Sequence, residues 1–391
     1  MQYRTDPKSG NKISALGFGC MRFTKRGKGI DQSKAEHEML TAIEGGVNYF
    51  DTAYIYPGSE VCLGRFLAKG YRSKVYIATK LPHYFIKSIR DADRIFEEEC
   101  RRLQTEYIDY YLIHMLTDTA AWQRLLALGI EDWIAEKKAQ GRIRQIGFSY
   151  HGGTGEFLKL IDAYDWDFCQ IQFNYLDEHS QAGLRGLRYA AQKGLPVIVM
   201  EPLRGGRLAD GLPQGAKKIL ADAFPGRTPA DAALRWIYNH PEVTCVLSGM
   251  NDIRQVKENL RTVGSASANA LTADDLAVFD AVKEELHKTI RIACTGCGYC
   301  MPCPSGVDIP VCFRCYNEKY IDNWFTAMKE YVMCTTLRQK KTNAGNCIGC
   351  GKCEQHCPQG IPIHRELRQV QKELERLPFR LAGYAAKLTK F

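Results

Sequence analysis

The stretch VNYFDTAYIYPGSE, residues 47–60, decides how the chain folds. Its opening five residues are mostly β-branched or aromatic, the composition of a buried strand. The run stops at Asp51, passes through a loop containing Pro57 and Gly58, and gives way near Ser59 to a segment of helical period. One strand followed by one helix makes a unit, and the question is how often the unit recurs. Strand candidates of the same kind stand at LGFG (16–19), VYIAT (75–79), DYYLIH (109–114), IRQIGFS (143–149), FCQIQF (168–173), PVIVM (196–200) and VTCVLSG (243–249). Helix-like segments lie near 33–45, 59–69, 87–103, 130–140, 154–163, 181–193, 229–239 and 252–260. Eight such units over roughly 250 residues predict a (β/α)8 TIM barrel of the α/β class. The competing doubly wound sheet wants a G-x-G-x-x-G turn after its first strand. LGFGCM supplies G-x-G without the third glycine, and no helix follows at once.

In a barrel of this kind the chemistry sits at the C-terminal ends of the strands. The second strand ends at Asp51 with Tyr56 in the loop beyond it, the third ends in ATK at Lys80, and the fourth in YLIH at His114. These four side chains are expected to converge. A free tyrosine gives up its proton reluctantly at neutral pH. A neighbouring ammonium stabilises the phenolate and lowers that barrier, so Lys80, held by Asp51, is expected to acidify Tyr56. His114 could then orient an incoming carbonyl oxygen, which gains negative charge as hydride reaches its carbon. Singly, each residue has a plain structural explanation: an ion pair, a half-buried aromatic, a satisfied core histidine. Their joint arrival at three successive strand ends favours a site.

Composition bounds the rest. The chain has 391 residues, 45% hydrophobic and 25% charged, as a soluble two-domain protein has. No stretch approaches the ~20 apolar residues of a membrane span. The polar start, MQYRTDPKSG, lacks an apolar signal core, so a cytoplasmic location is expected. The net charge of +9 comes from basic residues interspersed with Glu and Asp on helices, the pattern of solvated faces rather than of a nucleic-acid footprint.

The cysteines are unevenly spread. Of 16, five are scattered singly (Cys20, Cys62, Cys100, Cys169, Cys245), and the others fall between Cys294 and Cys357. Without a secretion signal such density points to metal rather than disulfides. The second cysteine loop, CIGCGKCEQHCP, places Cys347, Cys350, Cys353 and Cys357 in the C-x2-C-x2-C-x3-C-P run of iron–sulfur proteins. The first, CTGCGYCMPCP, repeats it with Cys294, Cys297, Cys300 and Cys303, one residue shorter in its last gap. The fourth cysteine of such a run ligates the other cluster. One [4Fe–4S] cluster is therefore assigned to Cys294, Cys297, Cys300 and Cys357, and the other to Cys347, Cys350, Cys353 and Cys303. Structural zinc, which takes four ligands commonly as two separated pairs, fits this run poorly. Cys312, Cys315 and Cys334 are read as packing thiols, since eight cysteines already satisfy two clusters. The predicted boundaries are a barrel at 1–263, a linker and helix at 264–288 starting in the small, polar run GSASANALTADD, and a mostly helical ferredoxin-like domain at 289–391 ending in a basic helical tail.

The duplicated loop resembles bacterial two-cluster ferredoxins. The motifs FDTAYIY, ATK and YLIH, with the opening LGFGCMR, resemble the aldo-keto reductase family over about residues 3–262. The resemblance implies a general acid at Tyr56 partnered by Asp51, Lys80 and His114. It further implies that Ser149 and Gln172 bind a nicotinamide carboxamide, Met200 lies where many relatives stack an aromatic ring, and Leu203 and Arg204 serve the pyrophosphate. Gly249, Gln255 and Asn259 fall at adenine-end positions. Tyr150 stands where relatives usually carry Asn, and Gly249 and Gln255 where NADP-preferring relatives carry Lys and Arg, so NAD(H) and NADP(H) both stay open. The whole combination is similar to ferredoxin-tailed members of that family.

Three functions follow. The first is a carbonyl reductase or alcohol dehydrogenase acting on a small molecule with a nicotinamide cofactor and two clusters. The second is an electron-transfer reductase, in which a redox protein partner feeds the clusters and they feed a barrel-bound substrate or flavin without nicotinamide. The third is a non-catalytic redox sensor. Nicotinamide moves two electrons as hydride whereas each cluster passes one, so a flavin bridge between the halves also stays open.

Overall fold

The computed structural model describes residues 1–376 apart from Thr289, Thr295, Cys297, Asp322, Gln339 and Pro358, and apart from the His287 side chain. The expected ligand Cys297 and the last part of the expected basic tail therefore lie outside the described residues.

Every strand of the series forms, displaced at its ends by at most two residues: β1 (Leu16–Gly19), β2 (Tyr49–Asp51), β3 (Tyr76–Leu81), β4 (Ile108–Leu116), β5 (Ile143–Tyr150), β6 (Phe168–Gln172), β7 (Val197–Met200) and β8 (Val243–Ser248). They pair in parallel in chain order, and β8 closes onto β1 through Val246↔Leu16 and Ser248↔Phe18. β2 starts later than its composition suggests because Asn48 bonds sideways: its side chain accepts from Ser14 N–H at 2.8 Å and its own N–H donates to the Ser14 hydroxyl at 3.0 Å.

The helices α1 (Gln32–Glu44), α2 (Ser59–Leu67) and α3 (Ile89–Leu103) follow the first three strands in turn. Asp31 caps α1 and a Ser88/Asp91 capping box starts α3, in the manner these residues favour. The structure adds α4 (Thr119–Leu126) to the expected series, capped by Asp118, which accepts from Ala121 N–H at 2.8 Å. Next come α5 (Ile130–Ala139), α6 (Thr154–Asp162), α7 (Gly183–Gln192), a second added helix α8 (Gln214–Ala223), α9 (Pro229–Tyr238) and α10 (Ile253–Ser265). Helix α11 (Ala273–His287) follows the polar run at 264–275.

Period-two alternation sorts the strand residues. Tyr49, Ala78, Tyr110, Leu112, Phe168, Ile198, Cys245 and Leu247 form one buried cluster, to which Ile13 of a short N-terminal hairpin (Tyr3–Thr5 with Lys12–Ser14) is added. Tyr110 is its hub: its ring lies 5.2 Å from Tyr49, 5.9 Å from Tyr76 and 5.1 Å from Phe168, and its hydroxyl donates to Asp6 at 2.9 Å. Counting two residues on from Tyr49, Ala78 and Leu112 reaches Asp51, Lys80 and His114. The site residues thus share a strand face with the barrel's packed interior, one layer nearer the C-terminal rim.

The chain divides into two compact units, Met1–Leu212 with Lys217–Phe279, and Pro213–Ala216 with Asp280 onward. The division falls inside α11. In the second unit α12 (Ile309–Ile321), α13 (Trp324–Tyr331) and α14 (Ile363–Leu374) enclose a core that includes Val307, Ile309, Phe313, Tyr316, Tyr331, Leu367 and Val370. No helix among the described residues is long and apolar enough to cross a membrane.

Truncating Tyr110 removes the hub and leaves a void between three rings. Tyr110→Ala is expected to cost about 3–5 kcal/mol, seen as a lower denaturant midpoint for the barrel, whereas Tyr110→Phe should cost much less.

Candidate functional site

At the barrel rim β3 carries Lys80 against β2. Its ammonium bonds to Asp51 Oδ1 at 2.6 Å and to the Thr52 carbonyl at 2.7 Å. Both charged residues are almost fully buried, 1% and 4% exposed, so each depends on the other for its charge. The other Asp51 oxygen accepts from Gln170 of β6 at 3.4 Å. Burial pushes the Asp51 carboxyl above its ordinary range, and the Lys80 charge works against that rise.

Tyr56, half-buried on the β2–α2 loop, lies over this pair, with the Lys80 ammonium 5.3 Å from its ring centroid. The His114 ring meets it edge-on at 6.2 Å. The four residues read from the sequence are therefore together. The expected acidification of Tyr56 is not what the structure gives. Burial, reinforced by the Asp51 charge, drives the phenol well above its ordinary pKa. The physical reason is that Lys80 spends its charge on Asp51 at hydrogen-bond distance, leaving little net positive field at the phenol. Burial, with Lys80, His151 and His83 adding repulsion, also holds His114 far below the usual histidine range, so its ring is neutral at neutral pH. Its Nδ1 is buried with no hydrogen-bond partner among the described residues.

The remaining expected contacts are distributed around the rim. Ser149 of β5 accepts the Met115 N–H at 2.8 Å, pinning an irregularity of β4 just after His114, where Met115 has φ +58°. Tyr150, on the opposite face, is buried with its hydroxyl on the Thr117 and Gly153 carbonyls, and so does not replace an amide at the rim. Gln172 donates to Asp177 at 2.7 Å and accepts from Gln181 at 3.1 Å. Arg204 binds the same Asp177 with two nitrogens, at 2.9 and 3.1 Å, and both side chains are buried. Met200 is partly buried against the interior cluster, and Leu203 precedes a turn at Arg204–Gly206. At the other end of the rim, Asn259 of α10 donates to Ser248 at 2.9 Å and Gln255 accepts the Asn251 N–H at 3.1 Å. Arg254 is engaged by Asp252 through two nitrogens at 3.0 and 3.1 Å.

Sequence reading passed over Arg22, although it lies inside the quoted LGFGCMR. Its guanidinium pairs with Glu201 at 3.4 Å while its side chain stays 45% exposed. It crosses two glycines: a Cβ on Gly205 would stand 2.8 Å from its Nη2, and one on Gly249 3.1 Å from its Cδ. A half-exposed guanidinium over bare backbone from two loops is a cradle that suits a phosphate-bearing group. Asp177 was missed as well; it lies beyond its strand, where no periodicity reaches.

In the second unit the two cysteine loops share one geometry. Gly296 and Gly298 have φ of +71° and +78°, and Gly349 and Gly351 have +71° and +70°. Side chains avoid this left-handed region, so glycine is what permits the repeated tight turn. Cys294 and Cys300 of the first loop and Cys357 of the second line one cavity, walled by Ile309, Phe313, Ile361 and Ile363. Cys303 stands apart from its own loop's cavity: it lies near Cys353, as Cys347 does. Burial disfavours its thiolate, but hydrogen bonds from Ser305 and from the Val307, Ser305 and Gly306 amides outweigh that and lower its pKa. Among the described residues no three His, Cys, Asp or Glu side chains close on a single ion; the cysteines surround a space. Thiolates of both loops around an apolar-walled cavity, with amides aimed at sulfur, suit an iron–sulfur cluster.

Comparison with known proteins agrees with both halves. Residues 15–284 match the profile of the "Aldo/keto reductase family" and residues 293–361 that of a "4Fe-4S dicluster domain". "Protein tas" of Escherichia coli (strain K12) is 27% identical over 353 residues, covering 73% of this chain and 98% of that protein. An "Aldo-keto reductase" of Mycolicibacterium vanbaalenii is 30% identical, covering 70% and 90%. Among solved structures, aldo-keto reductase AKR11C1 from Bacillus halodurans in its holo form superposes with a TM-score of 0.60 at 29% identity, over 72% of this chain and 96% of that one. A Klebsiella pneumoniae aldo/keto reductase in complex with NADP and acetate gives 0.58 at 25%, over 72% and 96%.

The Lys80–Asp51 pair has a direct energetic consequence. Lys80→Met alone strands a buried carboxylate and is expected to cost about 3–5 kcal/mol of stability. Adding Asp51→Asn to it should recover part of that loss in a denaturation double-mutant cycle.

Proposed function

The chain belongs to the aldo/keto reductase family, an oxidoreductase barrel joined here to a 4Fe–4S domain, and from that premise we propose that the barrel reduces the carbonyl of a small molecule with a nicotinamide cofactor while the second unit carries two [4Fe–4S] clusters. The buried Lys80–Asp51 pair beneath Tyr56, with His114 at its edge, carries this reading. The nicotinamide supplies a hydride to the carbonyl carbon. As charge develops on the oxygen, the Tyr56 hydroxyl transfers its proton there. A phenol raised by burial stays protonated at neutral pH, so the proton that reduction consumes is in place, whereas the phenolate that alcohol oxidation needs is scarce. Lys80 balances Asp51 and faces the phenolate that is left behind. The neutral His114 ring can donate a hydrogen bond to the same oxygen and fix its direction.

Ser149 and Gln172 would face the carboxamide, and Asn259 and Gln255 the adenine end. Arg22 would meet the pyrophosphate in place of Arg204, which is spent on Asp177. The clusters would each carry one electron, held by Cys294, Cys297, Cys300 and Cys357 and by Cys303, Cys347, Cys350 and Cys353. A second reading has the clusters feed a barrel-bound substrate or flavin from a redox protein without nicotinamide. What favours it is that Arg204 and Arg254, basic residues in the segments whose motifs resemble phosphate- and adenine-binding ones, are each bonded to an aspartate through two nitrogens.

Tyr56→Phe should reduce carbonyl turnover roughly a hundred- to ten-thousand-fold with little change in nucleotide binding; unchanged turnover would remove Tyr56 from the mechanism. Reduction by the wild-type protein should be flat with respect to Tyr56 from about pH 6 to about pH 9, whereas alcohol oxidation should keep rising with pH, because only the latter needs the phenolate. Turnover with dithionite-reduced protein and none with either nucleotide would select the second reading. Anaerobic preparation should yield about eight iron and eight sulfide per chain, and aerobic preparation less.

A further inference from the structure

Three cysteines lie outside both ligand sets, and one pair of them is built unlike packing thiols. Cys315 on α12 and Cys334 in the wide turn after α13 are 0% and 1% exposed. Cys315 lies beside Cys334, close enough for each sulfur to shift the titration of the other. The Arg314 guanidinium donates to the Cys334 sulfur at 3.3 Å while pairing with Glu330 at 3.2 Å. A buried neutral thiol has little use for a cation, whereas a thiolate needs one. With Cys315 and Arg314 beside it, Cys334 titrates below its ordinary range despite burial, and burial drives Cys315 far above. The backbone at Cys334 is a π-turn, Val332–Thr336, a rare local form that recurs at functional sites. Both sulfurs belong to the apolar core against which the loop cysteines Cys294, Cys300, Cys303, Cys347, Cys353 and Cys357 pack. Cys312 differs: its sulfur points to the Thr342 carbonyl at 3.6 Å.

We infer that Cys315 and Cys334 form a dithiol–disulfide couple that exchanges electrons with the clusters, an inference that rests on the two-cluster reading above. On oxidation one S–S bond forms between Cys315 and Cys334. Two electrons leave the sulfurs, one to each cluster, and the single proton on the Cys315 thiol passes to water. In the other direction, two electrons arriving singly open the bond, and one proton from water regenerates the Cys315 thiol beside the Cys334 thiolate. The pair is thereby a junction between one-electron and two-electron carriers, which neither a cluster nor a nicotinamide provides alone.

The test uses the full-length protein with its clusters loaded, under strictly anaerobic conditions. One sample is reduced with dithionite and one oxidised with a one-electron organic dye; each is then denatured in an alkylating reagent, digested and weighed by mass spectrometry. The expected result is a Cys315–Cys334 cross-link in the oxidised sample and two alkylated peptides in the reduced one. A reductive titration of the oxidised protein should take up about four electrons per chain, and about two in Cys334→Ser. Full alkylation of both cysteines in the oxidised wild type overturns the couple without recourse to any variant. Iron and sulfide measured on the same sample test the clusters separately: a cross-linked pair with only about four iron per chain upholds the disulfide but overturns the two-cluster reading and the electron exchange built on it.

Discussion

A lysine and an aspartate bonded at 2.6 Å and shut away from water at the mouth of a barrel constrain everything around them. Neither can turn away without leaving a buried charge unpaired, at a cost of several kcal/mol. The ends of β2 and β3 are thereby held in register, and Gln170 ties β6 to the same carboxylate. The loop that begins at Thr52 then sets Tyr56 above the ammonium, and His114 closes from β4. The pair also explains why the phenol is not acidified. A cation already neutralised by its carboxylate orders the site more than it charges it. Burial keeps the phenol protonated, and the pair keeps it fixed.

The second unit solves a related problem with sulfur. Cysteine sulfurs gathered in one unit repel one another as thiolates unless something positive sits among them, and around Cys303 the Ser305, Gly306 and Val307 amides are turned toward the sulfur. Cys357 lines one cavity with Cys294 and Cys300, so the two loops cross there. The unit's apolar core, with α12 and α14 against both loops, keeps that crossing in place. The Arg314–Cys334–Cys315 arrangement lies inside the same core, so any change in the redox state of these sulfurs is felt by the packing that supports the loops.

Much of this was legible in the residues alone. Largely apolar runs of four to seven residues between helical segments marked all eight strands, because a buried parallel strand must be apolar on both faces. The convergence of Asp51, Lys80 and His114 followed from their places at the C-terminal ends of three successive strands. The cysteine spacing named the metal chemistry. Other features were not legible, each for a physical reason. The pKa of Tyr56 depends on how the Lys80 charge is shared, which is a matter of distances. Arg204 looked like a phosphate ligand until Asp177, distant in sequence, took it. Arg22 and the Cys315–Cys334 contact arise from separate elements meeting, and no local pattern records such meetings. Helix α4 was hidden by its shortness, although Asp118 offered the cap.

The central claim is that the rim over Lys80 and Asp51 binds a nicotinamide nucleotide for proton-coupled hydride transfer. An anaerobic equilibrium titration of the cluster-loaded protein with NADH, and separately with NADPH, tests it most directly. The account predicts saturable binding of at least one of them at one nucleotide per chain, weakened by reversing the cation at Arg22. Absence of binding by either nucleotide to protein whose clusters accept electrons normally from dithionite would contradict it.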